Sequence, residues 1–404
     1  MTPAKIQRGT PAYRRLSLSM LLAGLATFAT FYCVQPLLPL FSRDFGKNAE
    51  EASLVVSITI GPMAVALLVA GMVSDRVGRR PLMIASLFLA ALFTLLCSIA
   101  NGWTMLLALR LLVGVALAGV PAVAMAYIVE EVDDASVSHA MGLYIGGTAI
   151  GGMSGRFLGG FMADMAGWQA ALAATGLFML IAALAFWRCT PPSAHFTPRT
   201  VSFAAFRAGT ARLFRDRAIP LLFAESFLLM GAFVSIYNYL GYRLSAAPYG
   251  FSQTLVSAIF ILYVLGSASS TLAGTLAGRL GPRRVLWGFL LMMLAGIGIT
   301  VFAPLALVIL GTAVVTVGFF GAHSIASAWV GRRARADRAQ GSSFYLFFYY
   351  LGGSVLGSVG GFAWTHAGWP GVATFTAALI ALATLIGLQL ARIEPLPPEG
   401  SPAR

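Results

Sequence analysis

The strongest constraint on how this chain can fold is a succession of twelve apolar runs, each close to the length an α-helix needs to cross a hydrocarbon layer. They are Leu16–Leu40, Ala52–Val73, Pro81–Ala100, Trp103–Val129, Ala140–Met162, Trp168–Trp187, Ala218–Tyr242, Phe251–Ala277, Val285–Ala303, Leu305–Val330, Ser342–Trp364 and Gly371–Leu390. Lipid offers no partner for a backbone N–H or C=O, so each run must satisfy its own polar groups, and a helix does so. The expected fold is an all-α membrane protein with twelve transmembrane helices. Composition agrees: 58% of residues are hydrophobic and only 10% charged, under half the charged share of ordinary globular proteins. The three cysteines, Cys33, Cys97 and Cys189, fall in or at the ends of runs without paired spacing. They read as inert thiols, with no disulfide or metal site.

The net charge of +13 is a topology signal. With the N-terminus inside, 22 basic residues fall in cytoplasmic segments and three outside (Arg43, Lys47 and Arg243). The bias orients the helices by the positive-inside rule, and an even number of crossings leaves both termini cytoplasmic. Nucleic acid is not an expected partner; the lipid bilayer is. The first run lacks a small-residue cleavage site, so no cleavable signal is expected.

One polar hairpin turn occurs twice. Gly71-Met-Val-Ser-Asp75-Arg76-Val-Gly78-Arg79-Arg80 separates the second and third runs, and 203 residues later Gly274-Thr-Leu-Ala-Gly278-Arg279-Leu-Gly281-Pro-Arg283-Arg284 separates the eighth and ninth. Gly167-Trp168 and Gly368-Trp369 repeat in the same way, each after a glycine-rich run. Parallel repeats of this kind build a pathway between two halves. The expected domains are an N-terminal six-helix bundle over 1–189, a cytoplasmic linker over 190–217, and a C-terminal bundle with a short tail over 218–404. The linker interleaves Phe203, Phe206, Leu213 and Phe214 with Arg207, Arg212, Arg215 and Arg217. It reads equally as an amphipathic helix on the anionic leaflet or as a flexible basic connection.

With these residues in place, the chain resembles the major facilitator superfamily. Gly71, Asp75, Arg76, Gly78, Arg79 and Arg80 fit that family's loop 2–3 signature, with Arg279 and Arg283 in the weaker second copy. Arg110 with Gly114 fits the fourth-helix signature. Gly142, Gly151, Gly155, Gly159 and Gly160 fit the fifth-helix signature of the drug or sugar:proton antiporter branch, in which a proline stands where this chain has Arg156. The resemblance implies two pseudo-symmetric six-helix bundles, a central cavity lined by helices one, four, seven and ten, and a loop around Asp75 that latches the cytoplasmic side. The Asp75 arginines are expected to pair with the acidic segment Glu130–Asp134. A monomer and a bacterial inner (cytoplasmic) membrane location also follow from the resemblance.

Ionisable groups inside membrane spans are costly and are functional suspects by default. Four occur: Arg110, Arg156, Glu225 and His323; Gln35 and Asn238 join them as cavity candidates. By helical rise, Glu225 and His323 fall on the cytoplasmic side of their spans' centres, and Arg110, Arg156 and Gln35 on the periplasmic side. Glu225 is the first candidate for a proton carrier and His323, which titrates near neutrality unaided, the second. The bland readings are a solvated Glu225 near the interface after Pro220, a His323 that only bonds a neighbouring helix, and an Arg156 paired with Asp164.

The expected function is secondary transport of a small molecule, with proton-coupled efflux of a drug-like or sugar-like compound ahead of proton-coupled uptake. Protons are the expected coupling ion, with no other cofactor and no metal. There is no Gly-x-x-x-x-Gly-Lys-Ser/Thr run for ATP and no charged ring for a channel filter. Gly152-Met153-Ser154-Gly155 matches a short pattern of intramembrane serine proteases, with His323 as the base, but the same glycines serve the longer fifth-helix signature. A non-enzyme is expected.

Overall fold

The computed structural model describes residues 5–198 and 203–394; they are helical throughout except for turns, connections and one isolated backbone pairing between Ile6 and Val132. Arg199 and Arg404, counted in the charge bias, and the end of the tail lie outside the described residues. Helix α1 (Pro11–Tyr32) starts where Thr10 Oγ1 accepts the Tyr13 N–H at 3.2 Å, and a short 3₁₀ turn leads into α2 (Leu38–Phe45). Helix α3 (Ala49–Val77) opens on a reciprocal cap between Asn48 and Glu51. There follow α4 (Arg79–Cys97), α5 (Trp103–Leu117), α6 (Gly119–Glu131), α7 (Val137–Cys189), α8 (Phe203–Arg215), α9 (Ile219–Ser245), α10 (Gln253–Ala258), α11 (Tyr263–Leu280), α12 (Pro282–Ile299), α13 (Leu305–Arg333) and α14 (Arg338–Arg392).

Among the described residues, ten helical segments are long and apolar enough to cross a membrane, against the twelve expected. The difference lies in α7 and α14, whose 53 and 55 residues are more than double the roughly 20 that one crossing takes. Each is broken at a non-helical pair, Ala166–Gly167 and Ala367–Gly368. The glycine φ values are 83° and 56°, a left-handed region that side chains disfavour. The repeated Gly-Trp dipeptides thus mark tight reversals with no loop, and counting each broken segment as two crossings reconciles ten with twelve.

The chain divides into two compact units that cut across the sequence halves. The first comprises Met1–Val201, Val234–Tyr263 and Gly353–Val372; the second comprises Ser202–Phe233, Val264–Gly352 and Ala373–Arg404. In the first unit, α7 lies directly on α1. A Cβ at Gly147, Gly151, Gly155 or Gly159 would strike the backbone of Leu21, Leu25, Ala29 or Cys33 in turn. Both helices advance four residues per contact, the small-residue pattern that lets helices pack backbone to backbone in lipid. Gly142, included in the expected glycine set, has nothing within 4 Å of where its Cβ would be; it does not share this packing.

In the second unit, α12 and α13 also pack through glycines, and a Cβ at Gly318 would lie 2.7 Å from the Met293 nitrogen. Here too lies α8, whose apolar side is partly docked on protein: Leu213 is buried, while Phe214 keeps 45% of its surface exposed. Phe214 meets Phe223, Phe344 and Phe348, and Phe206 meets Phe344. Gln340 Nε2 donates to Phe206 O at 2.9 Å and Arg212 grips Asp337 at 2.7 and 2.8 Å. Over 203–215 the linker is a helix, the first of the two readings, and not a flexible connection; aromatic contacts to protein anchor the segment.

Candidate functional site

Arg156 is the centre of a polar cluster in the first unit. It sits on α7 one residue after Gly155, so the close α1–α7 contact carries it to the end of α1. Its Nε donates to Gln35 Oε1 at 2.7 Å, its Nη1 to Gly152 O at 2.6 Å and its Nη2 to the Tyr263 hydroxyl at 3.3 Å. The guanidinium lies 3.8 Å from the Tyr32 ring centre, 4.4 Å from Phe260 and 4.8 Å from Tyr263. Aromatic faces stabilise a cation more once water is excluded, and Arg156 is 1% exposed. Gln35 passes the connection on, its Nε2 donating to Asn238 Oδ1 at 2.8 Å. Asn238 Nδ2 has no hydrogen-bond partner among the described residues.

The Arg156–Asp164 pair weighed from the sequence is absent. Asp164 instead accepts the Gln253 and Thr254 N–H groups at 3.0 and 2.8 Å and the Thr254 hydroxyl at 2.6 Å, holding the start of α10. Among the described residues, neither Arg156 nor the fully buried Arg110 has an ion-pair partner. Arg110 donates to Phe31 O at 3.2 Å and Val55 O at 3.4 Å, and its Nη1 has no partner. It binds helix backbones and faces no solvent.

Several contacts within this unit join the N-terminal run to segments from the second sequence half. Besides Gln35–Asn238 and Asp164–Thr254, Ser42 Oγ lies 2.6 Å from the Tyr242 hydroxyl. Ser354 Oγ donates to Ser57 O at 2.8 Å, and Ser358 Oγ lies 2.7 Å from Ser57 Oγ. Gly160 faces Ser257 and Gln253, while Gly361, its counterpart in the repeat, faces Glu50 and Tyr239. Ser57 precedes Asp75 by 18 residues on α3, which puts this layer about 27 Å from the charged turn.

At that turn Gly78 takes φ 98° and α4 begins at once. Arg79 reaches back to Asp75 at 2.7 Å, across to Glu130 at 3.2 Å, and also bonds Ser74 Oγ. Arg80 caps the far end of α7 through Trp187 O at 2.9 Å and Thr190 O at 3.0 Å. Next to Glu130, the buried Glu131 accepts the His195 N–H and meets its Nδ1, both at 3.0 Å. Lys5 takes Asp134 at 3.3 Å. In the second copy Gly281 takes φ 83°, and Arg283 bonds Ile393 O. Arg76 and Arg279 have no hydrogen-bond or ion-pair partner among the described residues; nor does Gly71 have any close neighbour at its Cβ position.

The second unit holds the other two ionisable candidates. Glu225 on α9 is 0% exposed, and both of its carboxyl oxygens lack a hydrogen-bond partner among the described residues. The reading of a solvated Glu225 near the interface is therefore wrong; Leu222, Phe223, Ser226 and Leu229 are buried with it. Ser226 Oγ donates to Tyr345 O at 3.2 Å, and the Tyr345 hydroxyl, within electrostatic reach of Glu225, lies 3.0 Å from His323 Nδ1. Phe319 stacks on His323 with ring centres 5.9 Å apart. Glu225, Tyr345 and His323 thus form one locality, as Gln35, Arg156 and Asn238 form another. Ser154 donates weakly to Gly151 O at 3.4 Å; its helix uses the hydroxyl locally.

Sequence reasoning missed Phe260 and Tyr263. Their spacing of three puts both on one face of a helix, and an arginine at a span position that the related signature gives to proline was the available signal that a cage must exist. Cys33 and Cys97 are buried as expected, whereas Cys189 is exposed.

The family model described as Major Facilitator Superfamily matches residues 20–355 and 245–404. The chain is 44% identical over 387 residues to the inner membrane transport protein YnfM of Escherichia coli (strain K12), covering 96% of this chain and 93% of that protein. It is 41% identical over 392 residues to the MFS-type transporter YybF of Bacillus subtilis (strain 168), covering 97% of each. Among solved structures it resembles, at TM-score 0.77 and 16% identity, a bacterial homologue of the human lysosomal transporter Spinster in an inward-facing, unoccupied conformation. That match covers 95% of this chain and 98% of the other. The nucleoside transporter NupG matches at TM-score 0.74 and 16% identity, covering 94% of this chain and 100% of that one.

Proposed function

Because the chain belongs to the major facilitator superfamily, and is a multi-pass secondary transporter and not an enzyme, we propose that it exchanges protons for a small organic compound by alternating access. The observation that carries proton coupling is Glu225, buried with no donor to either oxygen among the described residues. An ionised carboxylate there would lack all compensation, whereas a proton removes that cost. Opening the site to water makes the ionised form tolerable again. Tyr345 and His323, hydrogen-bonded to each other in the same locality, can take the proton once the opened site lets water or Tyr345 bond Glu225.

Arg156, Gln35 and Asn238 belong to the opposite gate. Sealed as they are, they close the side remote from the Asp75 turn, which is the external side if the arginine-rich turns face the cytoplasm of a bacterial inner membrane. The turn itself is the inner latch: Asp75 and Glu130 hold Arg79 ready for contacts made when the carrier faces outward. Efflux is the favoured direction, supported by the fifth-helix glycines of the antiporter branch.

Everted vesicles with an acid interior and a fluorescent pH probe test this reading. A drug, dye or sugar that collapses the gradient with wild type and not with Glu225→Gln supports antiport through Glu225. Equal responses from both proteins remove Glu225 from the proton path; responses only in right-side-out vesicles indicate uptake.

A further inference from the structure

A cavity of about 1080 Å³ opens at one end of the second unit, where the α11–α12 turn meets the end of α13 and the start of α14. Arg279, Arg283 and Arg284 enter it from the first turn, and Arg332 and Arg333 from α13. Arg335 and Arg338 complete the ring, and no acidic side chain lines it. Of the nearby carboxylates, Asp216 pairs with one ring member, Arg333, at 2.7 Å and also caps Ala218 and Ile219, while Asp337 is held by Arg212 outside the cavity. Among the described residues, Arg279, Arg284 and Arg332 have neither a hydrogen-bond nor an ion-pair partner.

A positive-inside bias needs basic residues only somewhere on one side of the membrane. It does not need separate elements to bring them to one hollow, where their mutual repulsion is unfavourable. An anion in the hollow relieves that repulsion, and guanidinium forks match phosphate oxygens in pairs. The apolar wall narrows the choice. Trp287 and Trp329 line the same cavity with Leu280, and Trp287 and Leu280 are 37% and 55% exposed. Tryptophan beside arginine at the end of membrane-spanning helices is the chemistry of the headgroup layer.

We propose that this cavity binds the headgroup of an anionic phospholipid, its volume and cationic ring suiting one with two phosphates. A free polyphosphate offers the same oxyanions but makes no use of the tryptophan wall.

The test uses the full chain in neutral detergent and native mass spectrometry. The probes are diphosphatidylglycerol, phosphatidylcholine and pyrophosphate. Wild type should retain diphosphatidylglycerol several-fold more than phosphatidylcholine. The combined change Arg279→Gln, Arg284→Gln and Arg332→Gln should erase that preference. Arg14→Gln, Arg15→Gln and Arg207→Gln together remove the same charge from other exposed positions and should leave it intact. Trp287→Phe, which keeps every cation, should weaken lipid retention without affecting pyrophosphate. Equal retention of both lipids by wild type would overturn the proposal. So would equal losses in the two triple variants, or pyrophosphate binding without lipid retention, which would make the ligand a soluble anion. If the cavity triple variant fails to fold, Arg284→Gln alone decides, with a several-fold loss expected.

Discussion

Gly160→Val should hold the carrier away from the sealed state, and the structure gives the size of the effect. A Cβ at Gly160 would lie 2.5 Å from the Gln253 carbonyl oxygen and 3.0 Å from its carbon, and closer still to Ser257 Oγ. Real Cβ atoms essentially never come within 3.0 Å of such neighbours, and here one neighbour is backbone held by Asp164, so it cannot swing away. Overpacking of this kind costs about 1–3 kcal/mol. At about 1.4 kcal/mol per factor of ten, the sealed arrangement should lose about 5- to 150-fold in population relative to the unsealed one. The reporter is Ser57→Cys, at a position 5% exposed in the same layer, in a chain whose three native cysteines are alanine. A membrane-impermeant maleimide should then label the introduced thiol faster by a similar factor when Gly160→Val is added. Gly361→Val, whose Cβ would sit 2.5 Å from Glu50 Cα, should act in the same direction. Unchanged labelling in both, with protein present in the membrane, would refute the idea that this layer is a gate.

Other outcomes can be checked in the same preparations. Arg156→Lys keeps the charge but loses the fork that serves Gln35, Gly152 and Tyr263 together; at about 1.5–3 kcal/mol for a hydrogen bond to a charged group, labelling of the Ser57→Cys reporter should rise about tenfold or more. Equal labelling would make the arginine incidental. Asp75→Asn should slow substrate exchange while leaving substrate affinity intact. Glu130→Gln should do less, since its pair with Arg79 is part-exposed and such pairs contribute about 1 kcal/mol or less; lost binding in either variant would refute the latch. The hydrogen bond from Arg212 holds the Asp337 carboxyl below the usual carboxylate range. Its contribution to docking α8 is therefore present above that range and lost only as pH falls through the lowered value. Asp337→Asn should accordingly speed proteolysis within α8 at neutral pH and make little difference in strong acid, where wild type has lost the same contact. A pH-independent difference would contradict this.

Much of the architecture was legible because lipid leaves a chain few options. Apolar length dictated the crossings, and the Gly-Trp repeats located both reversals, although their tightness required the backbone angles of Gly167 and Gly368. The partners of Arg156 were not legible, for a physical reason. Helices apolar all round carry no stripe that fixes their rotation, so nothing in the sequence aims Gln35, 121 residues away, or Tyr263 at the guanidinium. Sign alone favoured Asp164, which in fact serves backbone N–H groups. The glycine signature was similarly half readable: it included Gly142, where a Cβ would meet nothing within 4 Å, and passed over Gly147, which continues the four-residue step.

That step has a consequence for how the chain can change. Leu21, Leu25, Ala29 and Cys33 meet Gly147, Gly151, Gly155 and Gly159 as teeth meet notches, and the last notches set where Arg156 and Gln35 stand. Inserting or deleting one residue in either helix would rotate every later tooth by about 100° and drive side chains into backbone. The pair is a ruler as well as a joint. Over these turns sequence drift is confined to substitution on the outward faces, and length changes must fall outside Leu21–Cys33 and Gly147–Gly159.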